Sequence, residues 1–151
     1  MLLTLWTSAQ NLSTGIDNLG NALSVGSLDP NWQIVSSPDG CNTPTVMPAY
    51  LPYWQATPIP GTNAGWLDCT GNIQGSAPGD YVFERSFTVA PLASSFSCNF
   101  RITYDDILVS LELVSPTSTV TPLTVVPTTA YHLSQLVNHV ETSPTPGVWK
   151  I

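Results

Sequence analysis

Hydrophobic and polar residues alternate most regularly between positions 79 and 114. In the first run the apolar residues occupy odd positions from Tyr81 to Val89, with Arg85 as the polar exception. In the second run they occupy even positions from Cys98 to Tyr104, and the odd positions from Ile107 to Leu113 then resume the pattern. A two-residue period is typical of strands with one buried face. The stretch therefore predicts three consecutive strands of an antiparallel sheet with one solvated side.

Shorter apolar segments separated by turn signals predict further strands on both sides of this stretch. These segments lie within 11–26, at 31–36 around Trp32 and Ile34, at 65–69 around Trp66, and at 148–151. Two further segments are rich in proline, which has no N–H to donate to a central ladder. They are 43–65, predicted as extended edge structure or a long ordered loop, and 116–127, predicted as an edge strand rather than a linker.

One segment has helical rather than strand spacing. Leu133, Leu136, Val137 and Val140 fall at i, i+3, i+4 and i+7, and Thr129 or Ser134 can cap the segment. This spacing predicts one short helix near 134–140, of about two turns.

Length and composition indicate one domain with a real core. The chain has 151 residues, of which 42% are hydrophobic and only 9% are charged, against about 25% in an average protein. A single domain is expected over 11–151, and because the last strand is interrupted at Ile151, the domain is expected to continue beyond it. Residues 1–10 are interpreted either as the remnant of a secretory signal peptide or as a first strand.

Charge excludes two classes of partner. The net charge is −7, and the only Lys and Arg residues are Arg85, Arg101 and Lys150. Three scattered cations cannot displace the counterions of a nucleic acid, and an anionic membrane surface would repel the chain. No apolar run approaches the roughly 20 residues of a membrane span. A neutral glycan or a divalent cation remains compatible with this composition.

The three cysteines predict one disulfide. Cys41 and Cys69 lie in Gly-, Asn- and Pro-rich loops, whereas Cys98 occupies an inward strand position that suits a buried thiol. We expect a Cys41–Cys69 bridge, which stabilises by about 3–4 kcal/mol through the entropy of the unfolded chain. The alternative is three free thiols in a reducing compartment.

Asp105 and Asp106 form the one adjacent acidic pair. In one interpretation they line a loop that binds calcium or sugar hydroxyls. In the other, which we favour, Asp105 forms a structural ion pair with Arg85, because a cation on an apolar face needs a partner. No cofactor is expected, and a structural calcium ion is the open alternative.

Aromatic residues are the other candidates for binding. Trp32 and Trp66 are expected in the core, while Tyr53 and Trp54, in the proline-rich segment, can stack on sugar rings. Asn138 is a candidate hydrogen-bonding partner beside Asp105 and Asp106. No Ser-His-Asp, Cys-His or G-x-S-x-G arrangement is present, and His132 and His139 are too far apart to share a metal on a helix. The sequence therefore does not favour an enzyme.

Several motifs carry a resemblance to a known family. The stretch S-T-G-I-D-N-L-G-N-A-L-S-V-G-S-L-D-P-N-W-Q-I-V at 13–35 resembles a motif of bacterial cell-surface and PEP-CTERM-type exported proteins. With G-W-L at 65–67, F-E-R-S-F at 83–87 and Y-D-D at 104–106, the chain is similar to galactose-binding-domain-like jelly rolls of secreted proteins. L-E-L at 111–113 departs from that pattern, which has an Asn-Gly turn there.

The resemblance implies a fold and a place of action. We expect an all-β protein, an antiparallel β-sandwich of jelly-roll type with one short helix, secreted and acting outside the cell or at its surface. The expected function is non-enzymatic binding of carbohydrate through loops. The alternative is a structural subunit of a fibre, surface layer or adhesin that assembles with other copies or other surface proteins through strand edges.

Overall fold

The computed structural model describes residues 10–48, 63–71, 76–104, 107–125 and 135–151. Within these residues the protein is all-β, and all strand pairs are antiparallel. The strands are β1 (Gln33–Ser36), β2 (Thr45–Met47), β3 (Trp66–Asp68), β4 (Val82–Glu84), β5 (Ser86–Val89), β6 (Ser95–Ile102), β7 (Glu112–Val114), β8 (Val120–Pro122), β9 (Gln135–Thr142) and β10 (Gly147–Lys150).

Two sheets enclose the main core. One has four strands in the order β5-β10-β7-β8, and the other is the pair β6-β9. Buried residues from both sheets form one cluster: Val89, Cys98, Leu113, Leu123, Val137, Trp149 and Ile151. The rings of Phe87 and Trp149 each meet Phe96 edge to face, with centroids 5.5 Å and 5.0 Å apart. These contacts bring the sheets face to face as a sandwich, as the sequence pattern predicted.

Strands β4 and β5 are separated by a single residue, Arg85. The peptide of Arg85 exchanges two hydrogen bonds with Ile151, of 2.8 Å and 3.0 Å, so the pairing of β5 with β10 extends across the break. Beyond it, β4 pairs with β1. Arg85 therefore lies at the junction between the main sandwich and the N-terminal part of the chain.

The N-terminal part forms a second, smaller packed region. Strands β2 and β3 pair with each other, and Gly65 donates a 2.9 Å hydrogen bond to the carbonyl of Thr14. Ile16, Ile34, Val46, Met47 and Trp66 are buried here. Trp66 is a core residue, as predicted, and Trp32 is half-buried against the main core.

The predicted disulfide is present. Cys41 and Cys69 are bonded, with their Cα atoms 5.9 Å apart, and the third cysteine, Cys98, is a free buried thiol. The bridge joins the turn after β1 to the end of β3, so it links two elements that share no strand pairing. Burial raises the pKa of the Cys98 thiol above its ordinary value.

The prediction of a helix near 134–140 is wrong, because residues 135–142 form strand β9. Its full length pairs with β6, from Gln135 opposite Ile102 to Thr142 opposite Ser95. Val137 is 1% exposed, whereas Leu136 and Val140 are 55% and 65% exposed, so the inward positions alternate by two. Pairing with an eight-residue partner outweighed the apolar spacing that suggested a helix.

The third predicted strand of the central stretch is shorter than expected. Strand β7 begins only at Glu112, and Ile107 and Val109 lie outside it, 82% and 77% exposed. By contrast, the predicted edge strand within 116–127 is present as β8, the last strand of its sheet, ending at Pro122. None of the described residues forms a helix of the length and hydrophobicity that crossing a bilayer requires.

Candidate functional site: an amide-lined cleft beside Arg85

A cleft of about 420 Å³ opens where the N-terminal segment crosses Arg85. Its volume falls within the roughly 300–1,000 Å³ usual for small-molecule sites. Its lining is mostly polar and rich in carboxamides: Gln10, Asn11, Ile16, Asp17, Asn18, Leu19, Gly20, Asn31 and Arg85. We call it the amide cleft.

One wall of the amide cleft is a tight turn held by Asp17. One oxygen of Asp17 accepts 2.8 Å hydrogen bonds from the N–H groups of Leu19 and Asn21, and the other accepts a 3.0 Å bond from the Asn21 side chain. The bonds from Asn21 are the main reason that the pKa of Asp17 lies below its ordinary value. From the outside, the Asn63 side chain donates a 2.8 Å bond to the carbonyl of Gly20. The turn is therefore fixed at both ends.

The backbone next to the cleft is ordered by Asp29, which does not line the cleft and is completely buried. Its carboxylate accepts hydrogen bonds from the N–H groups of Gly15 at 2.6 Å, Asn31 at 2.8 Å and Trp32 at 3.2 Å. A buried carboxylate needs such partners, because an unpaired charge away from water is strongly destabilising. Asp29 thereby ties the segment around Gly15 to the bend before β1 that carries Asn31.

Arg85 reaches the cleft from the junction of β4 and β5. Its Nη2 donates a 2.7 Å hydrogen bond to the carbonyl of Asn11. Its Nη1 is buried and has no hydrogen-bond partner among the described residues. Partial burial lowers the pKa of Arg85, and the negative charge of Asp29 opposes this shift. The hydrogen bond to the backbone of Asn11 therefore fixes the position of the guanidinium, and the negative charge of Asp29 favours its charged form.

The carboxamides of the cleft use only part of their hydrogen-bonding capacity within the described protein. Asn11 accepts from the N–H of Ser13 through Oδ1, while Asn31 donates to the carbonyl of Ile16 through Nδ2. Gln10 donates to the carbonyl of Thr88 at 3.4 Å through Nε2. Each of these bonds orients the amide and leaves its second polar atom for a ligand: a donor on Asn11, and acceptors on Asn31 and Gln10. The cleft can therefore both donate to and accept from an uncharged hydroxyl group.

The residues predicted from the sequence are mostly not in this cleft. Tyr53, Trp54, Asp105 and Asp106 lie outside the described residues, and so does the predicted ion pair of Arg85 with Asp105. Asn138 is described: it lies on the outward face of β9, opposite Asn99 on β6, and does not line the amide cleft.

The charged residues that build the cleft were missed at the sequence level. Asp17 and Asp29 stand in D-N-L-G-N and D-P-N, which are ordinary turn signals, and nothing local distinguishes them from other turn residues. The resemblance at 13–35 covers the segment that contains them but gives neither residue a role. Their role appears only once Arg85 is brought beside them by the fold.

A smaller cleft of about 160 Å³ lies at the other end of the sandwich. It is lined mainly by hydroxyl groups, with Glu141 and Trp149 at its sides: Ser115, Thr117, Thr119, Thr121, Ser143 and Thr145. His139 approaches Glu141 at 3.4 Å. Across the described ranges, no three His, Cys, Asp or Glu side chains are grouped so that they would hold a metal ion.

Comparison of the chain with models of known protein families, with curated proteins and with solved structures finds no match. The chemistry of the amide cleft is therefore the basis for inferring a function.

Proposed function

We propose that the protein is a secreted, non-enzymatic β-sandwich module that binds extracellular or cell-surface carbohydrate in the amide cleft. The observation that carries this proposal is the set of pre-oriented carboxamides of Gln10, Asn11 and Asn31, each with a polar atom left for a ligand. A sugar hydroxyl is both a donor and an acceptor, and a cleft that offers both kinds of group matches it.

Two features of the fold support a role outside the cell. The Cys41–Cys69 disulfide forms stably in oxidising compartments. The face-to-face antiparallel sheets are the architecture that a jelly roll of the galactose-binding-like type would have. On this proposal the strands complete a jelly roll, and Tyr53 and Trp54 stack on sugar rings while Asp105 and Asp106 hydrogen-bond to them.

A glycan array and pull-downs on insoluble polysaccharides, with and without calcium, test this function. We expect retention of the folded chain on at least one glycan. Asn18→Ala should weaken this retention, because Asn18 is an exposed residue of the cleft and its side chain provides a ligand contact worth about 1 kcal/mol. Trp54→Ala tests the stacking prediction in the same assay.

The matched control is Asn138→Ala, which removes the same exposed carboxamide outside the amide cleft. If the Asn18→Ala variant is still retained on the glycan and the Asn138→Ala variant is not, the binding site lies on the outer face of β9 instead. A folded chain that is retained on no glycan would contradict carbohydrate binding.

A second function is favoured by a separate observation on strand edges. Strands β6 and β9 are each eight residues long and pair only with each other among the described residues, while β8 is the last strand of its sheet. Unpaired edges are templates for another strand, so we infer a structural subunit of a fibre, surface layer or adhesin as the alternative. Light scattering and electron microscopy test it: assemblies that grow with concentration support it, and a monodisperse monomer at high concentration contradicts it.

A further inference from the structure

We propose, building on the proposed function, that the amide cleft selects an uncharged sugar ring and holds one C–H face of that ring against Leu19. Two independent features carry this inference: the balance of charge around the cleft, and the exposure of Leu19 at its rim.

The charge around the cleft disfavours an anionic ligand. Among the described residues, Arg85 is the one cation that lines the cleft, and the negative charge of the buried Asp29 already acts on its guanidinium. Asp17 adds a second carboxylate in the wall of the cleft. Two carboxylates against one guanidinium leave an excess of negative charge, on a chain whose net charge is −7. A uronate or a sulfated sugar would therefore be repelled, whereas a neutral sugar would not.

The Arg85 guanidinium is also not free to form a two-point contact with a carboxylate. Its Nη2 is bonded to the carbonyl of Asn11, and its Nη1 is buried away from solvent. The paired N–H groups that make arginine a strong carboxylate receptor are thus not both turned to the cleft. The groups that remain for a ligand are carboxamides, which suit hydroxyls.

Leu19 gives the cleft an apolar rim. Its side chain is 87% exposed, the highest value among the large hydrophobic residues in the described part of the chain. The turn that carries it is fixed by three hydrogen bonds to Asp17 and by the bond from Asn63 to Gly20, so little ordering is required on binding. A pyranose ring has hydroxyls along its edge and C–H groups on its faces. The combination of Leu19 with the carboxamides matches that arrangement.

The test compares matched sugars that differ only at carbon 6. Dissociation constants of the full chain are measured by NMR titration for the methyl glycosides of glucose and galactose and for the corresponding uronates, at low and high salt. We expect at least one neutral glycoside to bind with shifts at the amides of residues 18–21. Its uronate should bind on the order of fivefold more weakly at low salt, and this gap should narrow in salt because screening weakens the repulsion.

A variant tests the apolar rim. Leu19→Ser should raise the dissociation constant of the neutral glycoside on the order of fivefold, which is the effect of losing roughly 40 Å² of apolar contact. The thermal midpoint should be unchanged, because the Leu19 side chain is exposed. Leu28→Ser is the control, since Leu28 is 61% exposed and does not line the cleft.

The outcomes separate this inference from the proposed function. A uronate that binds as well as its neutral partner, or a neutral glycoside that is indifferent to Leu19→Ser, overturns the inference and leaves carbohydrate binding in place. Absence of binding by all four sugars, or shifts confined to residues outside the amide cleft, also overturns the inference. The proposed carbohydrate binding is contradicted only if the folded chain is in addition retained on no glycan of the array.

Discussion

The N–H of Gly15 donates a 2.6 Å hydrogen bond to the carboxylate of Asp29, fourteen residues away and completely buried. This bond joins the segment that leads into the wall of the amide cleft to the turn that precedes β1. The negative charge of the same carboxylate also favours the charged form of Arg85, so one buried charge orders the backbone of the site and acts on its guanidinium.

Replacing Asp29 should destabilise the fold strongly. Asp29→Asn removes the negative charge that acts on Arg85. It also turns an amide N–H toward a backbone donor, since the carboxylate accepts from Gly15 and from two further N–H groups. We expect a loss of about 3 kcal/mol in the free energy of unfolding, measured with urea. Asp80→Asn is the control at an exposed position, expected to change stability by less than about 0.5 kcal/mol. Equal effects of the two variants would contradict the structural role of Asp29.

A side chain at Gly15 should be poorly tolerated. Gly15 has a φ of +66°, and a Cβ there would lie 2.9 Å from backbone atoms of Gly65. Gly15→Ala combines an unfavourable backbone conformation with this close approach, so we expect a cost of more than about 2 kcal/mol in urea unfolding. Gly26→Ala separates the two causes, because Gly26 has a φ of +86° with nothing within 4 Å of the added Cβ. Its cost should be about 1 kcal/mol, and a similar cost for both variants would argue against the close approach.

The strand assignment of β9 predicts opposite outcomes for one substitution at two nearby positions. Val137 is 1% exposed and packs in the main core, whereas Val140 is 65% exposed on the outward face. Val137→Ala should lower the free energy of unfolding by about 2 kcal/mol, and Val140→Ala by less than about 0.5 kcal/mol. Similar losses at the two positions would mean that both valines face the core, as a helix would place them.

Reduction of the disulfide should cost stability without abolishing the sandwich. Cys41 and Cys69 are 28 residues apart in sequence, and closing a loop of that length is worth about 3–4 kcal/mol in the unfolded chain. The double variant Cys41→Ser/Cys69→Ser should lower the thermal midpoint, measured by circular dichroism, while keeping a strand-type spectrum. Cys98→Ser is not a neutral control, because that thiol is buried in the core. Wild type with and without reductant provides the comparison, and an unchanged midpoint on reduction would contradict the bridge.

Acid should release the turn that carries Leu19. Hydrogen bonds, chiefly from Asn21, lower the pKa of Asp17 below its ordinary value of 3.8. A depressed pKa means that the carboxylate form stabilises the folded turn above pH 3.8, and that this contribution is lost as the pH falls through the lower, folded value. Carboxyl NMR titration should therefore give a pKa below 3.8 for Asp17. Asn21→Ala should return the pKa of Asp17 toward its ordinary value. An unchanged pKa in that variant would show that the side chain of Asn21 does not stabilise the carboxylate.

The elements that could be predicted from the sequence are those whose pattern is local. Strands β5 and β6 follow from the alternation at 81–89 and 98–104, and the cysteine pairing follows from which cysteines lie in loops. Strand β9 was misassigned because its inward positions include Gln135, His139 and Glu141, so polar residues conceal the two-residue period. Pairing with β6 makes this segment a strand, and that long-range pairing cannot be inferred from the segment alone.

The candidate site was less predictable than the fold for a related reason. The sequence points to adjacent or unusual groups, such as Asp105 with Asp106 or the aromatic pair Tyr53 and Trp54. The amide cleft is built instead from ordinary turn residues, Asp17, Asp29 and Asn31, that acquire a common function only when Arg85 is placed beside them. Arg85 is more than fifty residues away along the chain, and only the junction of β4 and β5 brings it there.

Carbohydrate binding in the amide cleft is best tested by an amide chemical-shift map of the ¹⁵N-labelled chain with the glycan on which it is best retained. We expect shifts concentrated at residues 10–20, Asn31 and Arg85, and smaller shifts at these residues in Asn18→Ala. Shifts confined to the outer face of β6 and β9 or to the hydroxyl-lined cleft, or the absence of any shift with all glycans of the array, would contradict it.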